Sequence, residues 1–299
     1  MQIEQIILSL QPNRKSYMRV FNNFNAIKET LTSINEEEAT IGFVPTMGAL
    51  HEGHLSLIKT AYAENDYVIV SIFINPTQFN NREDFDAYPR TEDQDVKLLK
   101  QFDNNVLTFI PLVEDIYPNG IVSQHFDFGE IENQMEGKFR PGHFDGVGTV
   151  LTSFFTMLEP DNAYFGEKDF QQLQIVKKLV EIQNFAVNII GCPILRESTG
   201  LAMSSRNKRL NDSQLQESKL IFKVLKQVKK DFGTKSAKDI MQEVQKAFKN
   251  NKDLKLEYFE IADESTLKPL QIVETNKKYR AFIAVFAGEV RLIDNIALN

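Results

Sequence analysis

Residues 41–54 read IGFVPTMGALHEGH: a short apolar run, a turn of small residues, then two histidines three positions apart. An apolar run that ends in a glycine-containing turn and passes into a helical pattern marks a buried parallel strand feeding a helix. Leu55, Ile58, Ala61 and Tyr62 supply the apolar face of that helix. Unpaired backbone N–H groups collect at such a junction and attract anions. His51 and His54, two of the chain's four histidines, stand there. Imidazoles exchange or share a proton near neutral pH, so the segment suggests a site that stabilises a phosphate under attack.

The same grammar repeats outward. Apolar runs suited to buried strands occur at Tyr67–Ile74, Val106–Ile110, Ala163–Phe165 and Val187–Ile190, beside Ile41–Val44. Between them lie helical faces, one on Val96, Leu99 and Phe102 and another on Leu173, Val176, Leu179 and Val180. Strand-helix-strand order implies an α/β fold, a Rossmann-like parallel sheet with helices on both faces. After Leu210 the pattern changes. Asn211, Asp212 and Ser213 offer caps for one long Lys-rich helix to about Phe232, and a second helix runs from Ser236 to about Phe248. Strands near Leu256–Ile261 and Tyr279–Phe286 are joined too closely for a crossover helix and read as antiparallel. The expected division is an N-terminal extension over 1–17, a nucleotide-type domain over 18–195 and a smaller C-terminal α+β lid domain over 196–299.

Composition narrows the function classes. The chain has 299 residues, 42% hydrophobic and 25% charged, close to globular averages. A net charge of −7 argues against broad nucleic-acid binding, which needs a basic surface. The single cysteine, Cys192, permits no intrachain disulfide and no cysteine-based zinc site, in keeping with a cytoplasmic setting. The apolar patch at Ile6–Leu10 lacks the basic start and cleavage site of a secretory signal. No apolar run approaches the roughly 20 residues of a membrane-spanning helix.

Two further clusters carry phosphate chemistry. GEKDFQQ, residues 166–172, follows the apolar AYF and precedes a helical pattern, so it shares a rim with the histidines if both loops leave the carboxyl ends of strands. Lys168 can hold a phosphate as a point charge and Asp169 can accept from ribose hydroxyls. GLAMSSRN, residues 200–207, sets Ser204, Ser205 and Arg206 at the domain boundary, where they can clamp a triphosphate. Each cluster also has an ordinary reading: a surface histidine pair or half a metal site, a charged helix start, a Ser-rich turn. The chain has no G-x-x-x-x-G-K-[ST] or G-x-G-x-x-G at the first cluster, which points away from P-loop kinases and dehydrogenases and toward adenylyl transfer.

The segments VPTMGALHEGH, VSIFINPTQF, DAYPRT, IYPNG, RPGHFDGV, FGEKDFQQL, GLAMSSRN and RLIDN, in that order from Val44 to Asn295, resemble the pantothenate synthetase family. That family is part of the cytidylyltransferase-like superfamily marked by H-x-G-H. The resemblance implies ATP-dependent condensation of (R)-pantoate with β-alanine through a pantoyl-adenylate, giving pantothenate, AMP and diphosphate. It implies a homodimer, with the edge near Ile116–Phe128 as the candidate contact, and no nucleic-acid or membrane partner.

Carried onto matching positions, the resemblance implies that His54 is the proton donor, with His51 beside it at the α-phosphate and Lys168 closest to the transferring group. Met47, Gly48, Ala49, Leu50, His51, Glu52, Gly53 and His54 would form the first ATP segment. Gly166, Glu167, Lys168 and Asp169 would form the second, with Leu195 at the adenine and Met203, Ser204, Ser205 and Arg206 over the phosphates. Gln78 and Gln172 would hold pantoate, with Asn75 nearby. Magnesium is expected with ATP, held mainly by phosphate oxygens, and no organic prosthetic group is expected. Asp93 and Asp95 flank the position of the family's candidate carboxylate, so no metal ligand is assigned. Ser153 stands where the family often carries lysine, and residues 1–17 precede its usual start. Two other readings remain: a nucleotidyltransferase acting on a nucleotide or a tRNA-linked substrate, disfavoured by Gln78, Gln172 and the acidic chain, and a non-catalytic nucleotide-binding regulator, disfavoured by the retained His51, His54 and Lys168.

Overall fold

A computed structural model describes residues 19–80 and 82–299. The expected extension over 1–17, with its Ile6–Leu10 patch, lies outside the described residues.

Six strands form one parallel sheet: β1 (Arg19–Phe21), β2 (Ile41–Thr46), β3 (Tyr67–Ile72), β4 (Val106–Phe109), β5 (Asn162–Gly166) and β6 (Asn188–Cys192). Their order is β1-β4-β3-β2-β5-β6. Helices α1 (Phe24–Glu36), α2 (Glu52–Glu64), α3 (Glu92–Leu99), α4 (His143–Leu158) and α5 (Phe170–Gln183) cover its two faces. Alternate strand residues choose the face, as a period of two requires. Phe43, Ile69, Leu107 and Phe165 pack with Ile27 of α1, Leu151 of α4 and Val176 of α5. Val44, Val68, Val70 and Val106 pack with Leu55 and Ile58 of α2 and Leu99 of α3. The α/β architecture read from the sequence is the one observed.

A second unit follows. Helices α6 (Lys219–Asp231) and α7 (Ala237–Lys249) precede β7 (Leu254–Asp263), β8 (Tyr279–Ala287) and β9 (Val290–Ala297), which form an antiparallel sheet in the order β7-β8-β9. The single long helix expected up to Phe232 is instead two. Asn211 caps a short helix over Asp212–Glu217, its side chain accepting from Gln214 N, and a separate helix starts at Lys219. The break falls at Ser218, fully buried, whose hydroxyl donates to Leu215 O (2.9 Å) in competition with the helical ladder.

Strand β8 is buried on both sides. Ala281, Ile283 and Val285 face α6 and α7 in the core of the second unit, whereas Phe282 joins Phe170 in the core beneath the parallel sheet. The two units are therefore packed through a shared apolar contact. A paired ionic cluster adds to it: Glu136 receives two hydrogen bonds from Arg291 of β9 (both 2.7 Å) and one from Tyr258 Oη (2.8 Å).

Candidate active site

The strand order reverses at β2 and β5, which lie side by side while their following helices go to opposite faces. Loops that diverge at such a point leave a crevice at the carboxyl ends of the strands. HEGH follows β2 and GEKD follows β5, so both stand on that rim. A cleft of about 230 Å³ opens there. Met47, His51, Gly53, His54, Gly166, Lys168, Asp169, Leu195, Met203, Ser204, Ser205, Arg206, Gln78 and Gln172 line it.

The first loop is built around a buried carboxylate. Asp95 accepts from Leu50 N through Oδ1 (2.7 Å) and from Ala49 N through Oδ2 (2.8 Å), with Thr91 Oγ1 at 3.1 Å. That anchor supports two consecutive left-handed residues, Gly48 (φ 76°) and Ala49 (φ 48°). At Gly48 a side chain would be strained and would reach within 3.1 Å of Asp95 Oδ2. Gly48, Ala49, Leu50 and Glu52 do not line the cleft; the first three shape the turn, and Glu52 is exposed at the helix start. Asp95 was not separable from Asp93 as a metal candidate in the sequence. Its two oxygens serve the loop amides, and Asp93 is exposed on α3.

His51 caps α2. Its Nδ1 accepts from Gly53 N (3.1 Å), and His54 Nδ1 accepts from His51 N (3.3 Å). Since each Nδ1 accepts, each neutral ring carries its proton on Nε2. The rings lie 4.1 Å apart, centroid to centroid. Burial, then the charges of Lys168 and Lys208, lowers the His51 pKa to about 4. Burial, then His51 and Lys168, lowers that of His54 to about 3. At neutral pH the pair is therefore two uncharged N–H donors. Gly53 makes this arrangement possible: a Cβ there would stand 2.7 Å from His51 Cε1 and 2.8 Å from Nδ1. Gly53→Ala is expected to displace the His51 ring and cut turnover by roughly 10-fold or more, with little net change in thermal stability because the lost cap bond to the residue 53 N–H is offset by the helix preference of alanine over glycine. Steady-state kinetics beside a melting curve checks this; unchanged turnover would refute the constraint.

The opposite wall is cationic. Lys168 Nζ lies 3.6 Å from Asp169 Oδ2 in a short helical turn over Glu167–Asp169. Glu167 is outside the cleft lining and its carboxylate faces Arg280 at 3.5 Å. Over the mouth, Arg206 and Arg209 share Asp84 (both 2.8 Å), and the Arg206 guanidinium sits 5.6 Å from the Tyr88 ring centre. Ser205 donates to Ala49 O (3.1 Å), tying this loop to the first, and Ser204 Oγ accepts from Arg206 N (3.3 Å). Leu195 O accepts from Met203 N (3.0 Å).

The amides divide. Gln78 and Gln172 line the cleft with side chains that make no hydrogen bond to another described residue. Gln78 is held by its carbonyl, which accepts from Arg140 Nη2 (3.0 Å) and His143 Nδ1 (2.8 Å). Asn75, expected near pantoate, is not in the lining. It is 1% exposed, donating to Gly146 O (3.0 Å) and accepting from Thr77 Oγ1 (3.1 Å) and Tyr117 Oη. The reason is direction: Asn75 follows the strand facing inward, so its amide orders the loop that carries Gln78. Ser153 is likewise internal, donating to Ile116 O (3.1 Å).

Sequence reasoning did not find the apolar wall from Val147, Val150, Leu151 and Phe154 of α4, with Phe73. The signal was present as a one-face apolar pattern over 147–154, but the same pattern serves the core. It also missed Tyr88 in the lining and the anchoring role of Asp95.

A family model described as pantoate-beta-alanine ligase matches residues 19–297. The chain belongs to the pantoate-beta-alanine ligase family. Within it, the chain is similar to pantothenate synthetases of Christiangramia forsetii and Flavobacterium psychrophilum, each 51% identical over 282 residues, 94% of this chain and all of the relative. Among solved structures it is similar to the pantothenate synthetase of Thermus thermophilus, with a TM-score of 0.85 at 35% identity, covering 94% of this chain and 99% of the other. It is also similar to the pantoate-beta-alanine ligase of Francisella tularensis, complexed with beta-gamma ATP and beta-alanine, with a TM-score of 0.79 at 39% identity, covering 94% and 98%.

Proposed function

We propose that the cleft between the β2 and β5 loops adenylates pantoate with ATP and then passes the pantoyl group to β-alanine. The enzyme is an ATP-dependent pantoate-beta-alanine ligase by family membership. The observation that carries the residue assignment is the facing of two neutral Nε2–H imidazoles, His51 and His54, by the Lys168 ammonium across the reversal of the sheet.

In the first step a pantoate carboxylate oxygen forms a bond to the α-phosphorus, and the bond from that phosphorus to the bridging oxygen breaks, releasing diphosphate. Lys168 and the imidazole donors stabilise the charge that gathers on the phosphate oxygens, in a site that needs no reorganisation. In the second step the amine of β-alanine attacks the acyl carbon, AMP leaves, and the amine proton passes to solvent. Gln78 and Gln172 orient pantoate without neutralising its carboxylate, and the α4 wall suits its two methyl groups. Met47, Gly166, Asp169, Leu195 and Met203 to Arg206 complete the ATP contacts.

Magnesium would enter on the phosphates and offset their charge. Among the described residues no cluster of three His, Cys, Asp or Glu could hold a metal by itself, which fits an ion carried chiefly by ATP oxygens with a half-exposed carboxylate such as Asp169 at hand. A homodimer through the edge around 116–128 is supported by the exposure of Ile121 and Val122 there. Cytoplasmic residence is supported by the free, buried Cys192; no helix among the described residues is long and apolar enough to cross a membrane.

Incubation with ATP, pantoate and β-alanine is expected to yield AMP and diphosphate in equal amounts. Omitting β-alanine is expected to leave one bound acyl-adenylate per site. ADP as the sole nucleotide product overturns the proposal.

A further inference from the structure

We propose that Asn295 of β9 is a positioning residue for adenylate formation, acting through Lys168; this rests on the reading of Lys168 as the phosphate-facing cation. One N–H of the Asn295 amide donates to Glu167 O (2.8 Å) and the other to Lys168 O (2.9 Å). Those two carbonyls belong to the peptide planes on either side of the Lys168 α-carbon. Fixing both planes fixes φ and ψ of Lys168, and with them the direction in which its side chain leaves the backbone. The ammonium then has only its own torsions to order when ATP arrives.

The amide cannot turn over. Its Oδ1 accepts from Arg280 Nη1 (2.6 Å), and Arg280 is itself held by Glu264 (Nε to Oε1, 2.8 Å) and stacked 4.0 Å from the Phe170 ring centre. Asn295 is 1% exposed, so water does not replace these bonds. Simple packing does not require this geometry, since an apolar side chain would fill the space but remove the donors from both part-buried carbonyls.

The test is a double-mutant cycle on diphosphate release from saturating ATP and pantoate, followed in a single turnover. Asn295→Asp keeps an acceptor for Arg280 and removes both donors; Asn295→Ala removes all three bonds. Each is expected to slow release by roughly 10- to 10²-fold when Lys168 is present and by less than about 2-fold in a Lys168→Met background. The KM for pantoate is expected to stay within about 2-fold, because Gln78 is held by Arg140 and His143 and Gln172 by the backbone of α5 instead. Equal factors in both backgrounds, or full activity of the Asn295 variants, overturn the proposal. Wild-type release by Lys168→Met alone overturns the role given to Lys168, and the cycle reads the two failures separately. Should Asn295→Ala not fold by circular dichroism, Asn295→Ser, which retains one donor, replaces it with an intermediate effect expected.

Discussion

His54→Ala is expected to slow diphosphate release by roughly 10²-fold or more, the scale for loss of a preorganised transition-state donor. The substitution removes an Nε2–H from the cleft and also the acceptor of His51 N, so the first turn of α2 loses part of its cap. A pH profile separates donor from cation. The free-enzyme pKa values of about 4 for His51 and about 3 for His54 place both rings in the neutral form from pH 8 down to about 5. The kcat/KM profile for ATP, which reports the free enzyme together with the free nucleotide, is therefore expected to show no ionisation near 6.5 that depends on this pair. A wild-type rate for His54→Ala, or a step near pH 6.5 that the substitution abolishes, contradicts this account.

The second large effect is on stability. Glu136→Ala is expected to destabilise the protein by about 2–3 kcal/mol, because it removes one of the two carboxylates on the largely buried Arg291, leaving Glu257 (2.8 Å) as its remaining partner, and takes the acceptor from Tyr258 Oη. Burial pushes the Glu136 carboxyl up, but the hydrogen bonds and charge of Arg291, with Arg140 and Tyr258 behind them, bring it down to about 2. A carboxyl whose folded pKa is depressed contributes its stability in full above the unfolded value and loses it as pH falls through the folded value. The window here runs from about 4.5 down to about 2. The advantage of wild type over Glu136→Ala is expected to shrink by about 2 kcal/mol between pH 7 and pH 3. Urea unfolding at the two pH values measures it; a difference below 1 kcal/mol at pH 7, or one that does not change with pH, rules the cluster out as a major support.

The parallel sheet could be read because β2, β3 and β4 are continuous apolar runs, and both faces of such strands are buried. β1 escaped since it is three residues long at an edge, with Arg19 and Val20 exposed. β9 escaped for a different reason. Arg291, Asp294 and Asn295 interrupt its apolar pattern, and all three are paired: with Glu136, with Arg196, and with the carbonyls of the GEKD turn. Those partners lie about 100 or more positions away, and local periodicity contains no record of them. At the site, residue type announced hydrogen-bonding capacity in HEGH, GEKD and NPTQ but not direction. Hence Gln78 lines the cleft while Asn75, three residues earlier, turns into the protein.

The double burial of β8 bears on how the protein can be rebuilt. Two halves exchanged between relatives at the segment joining the two sheets would have to match along a seam: Phe282 against Phe170, Arg291 against Glu136, and Asn295 against the turn carrying Lys168. A chimaera that respects the strand boundaries but mismatches that seam would contain every ATP motif and still misplace them. The transferable module is the whole pair of sheets, and homologous recombination inside this chain is safest where no crossing contact is divided.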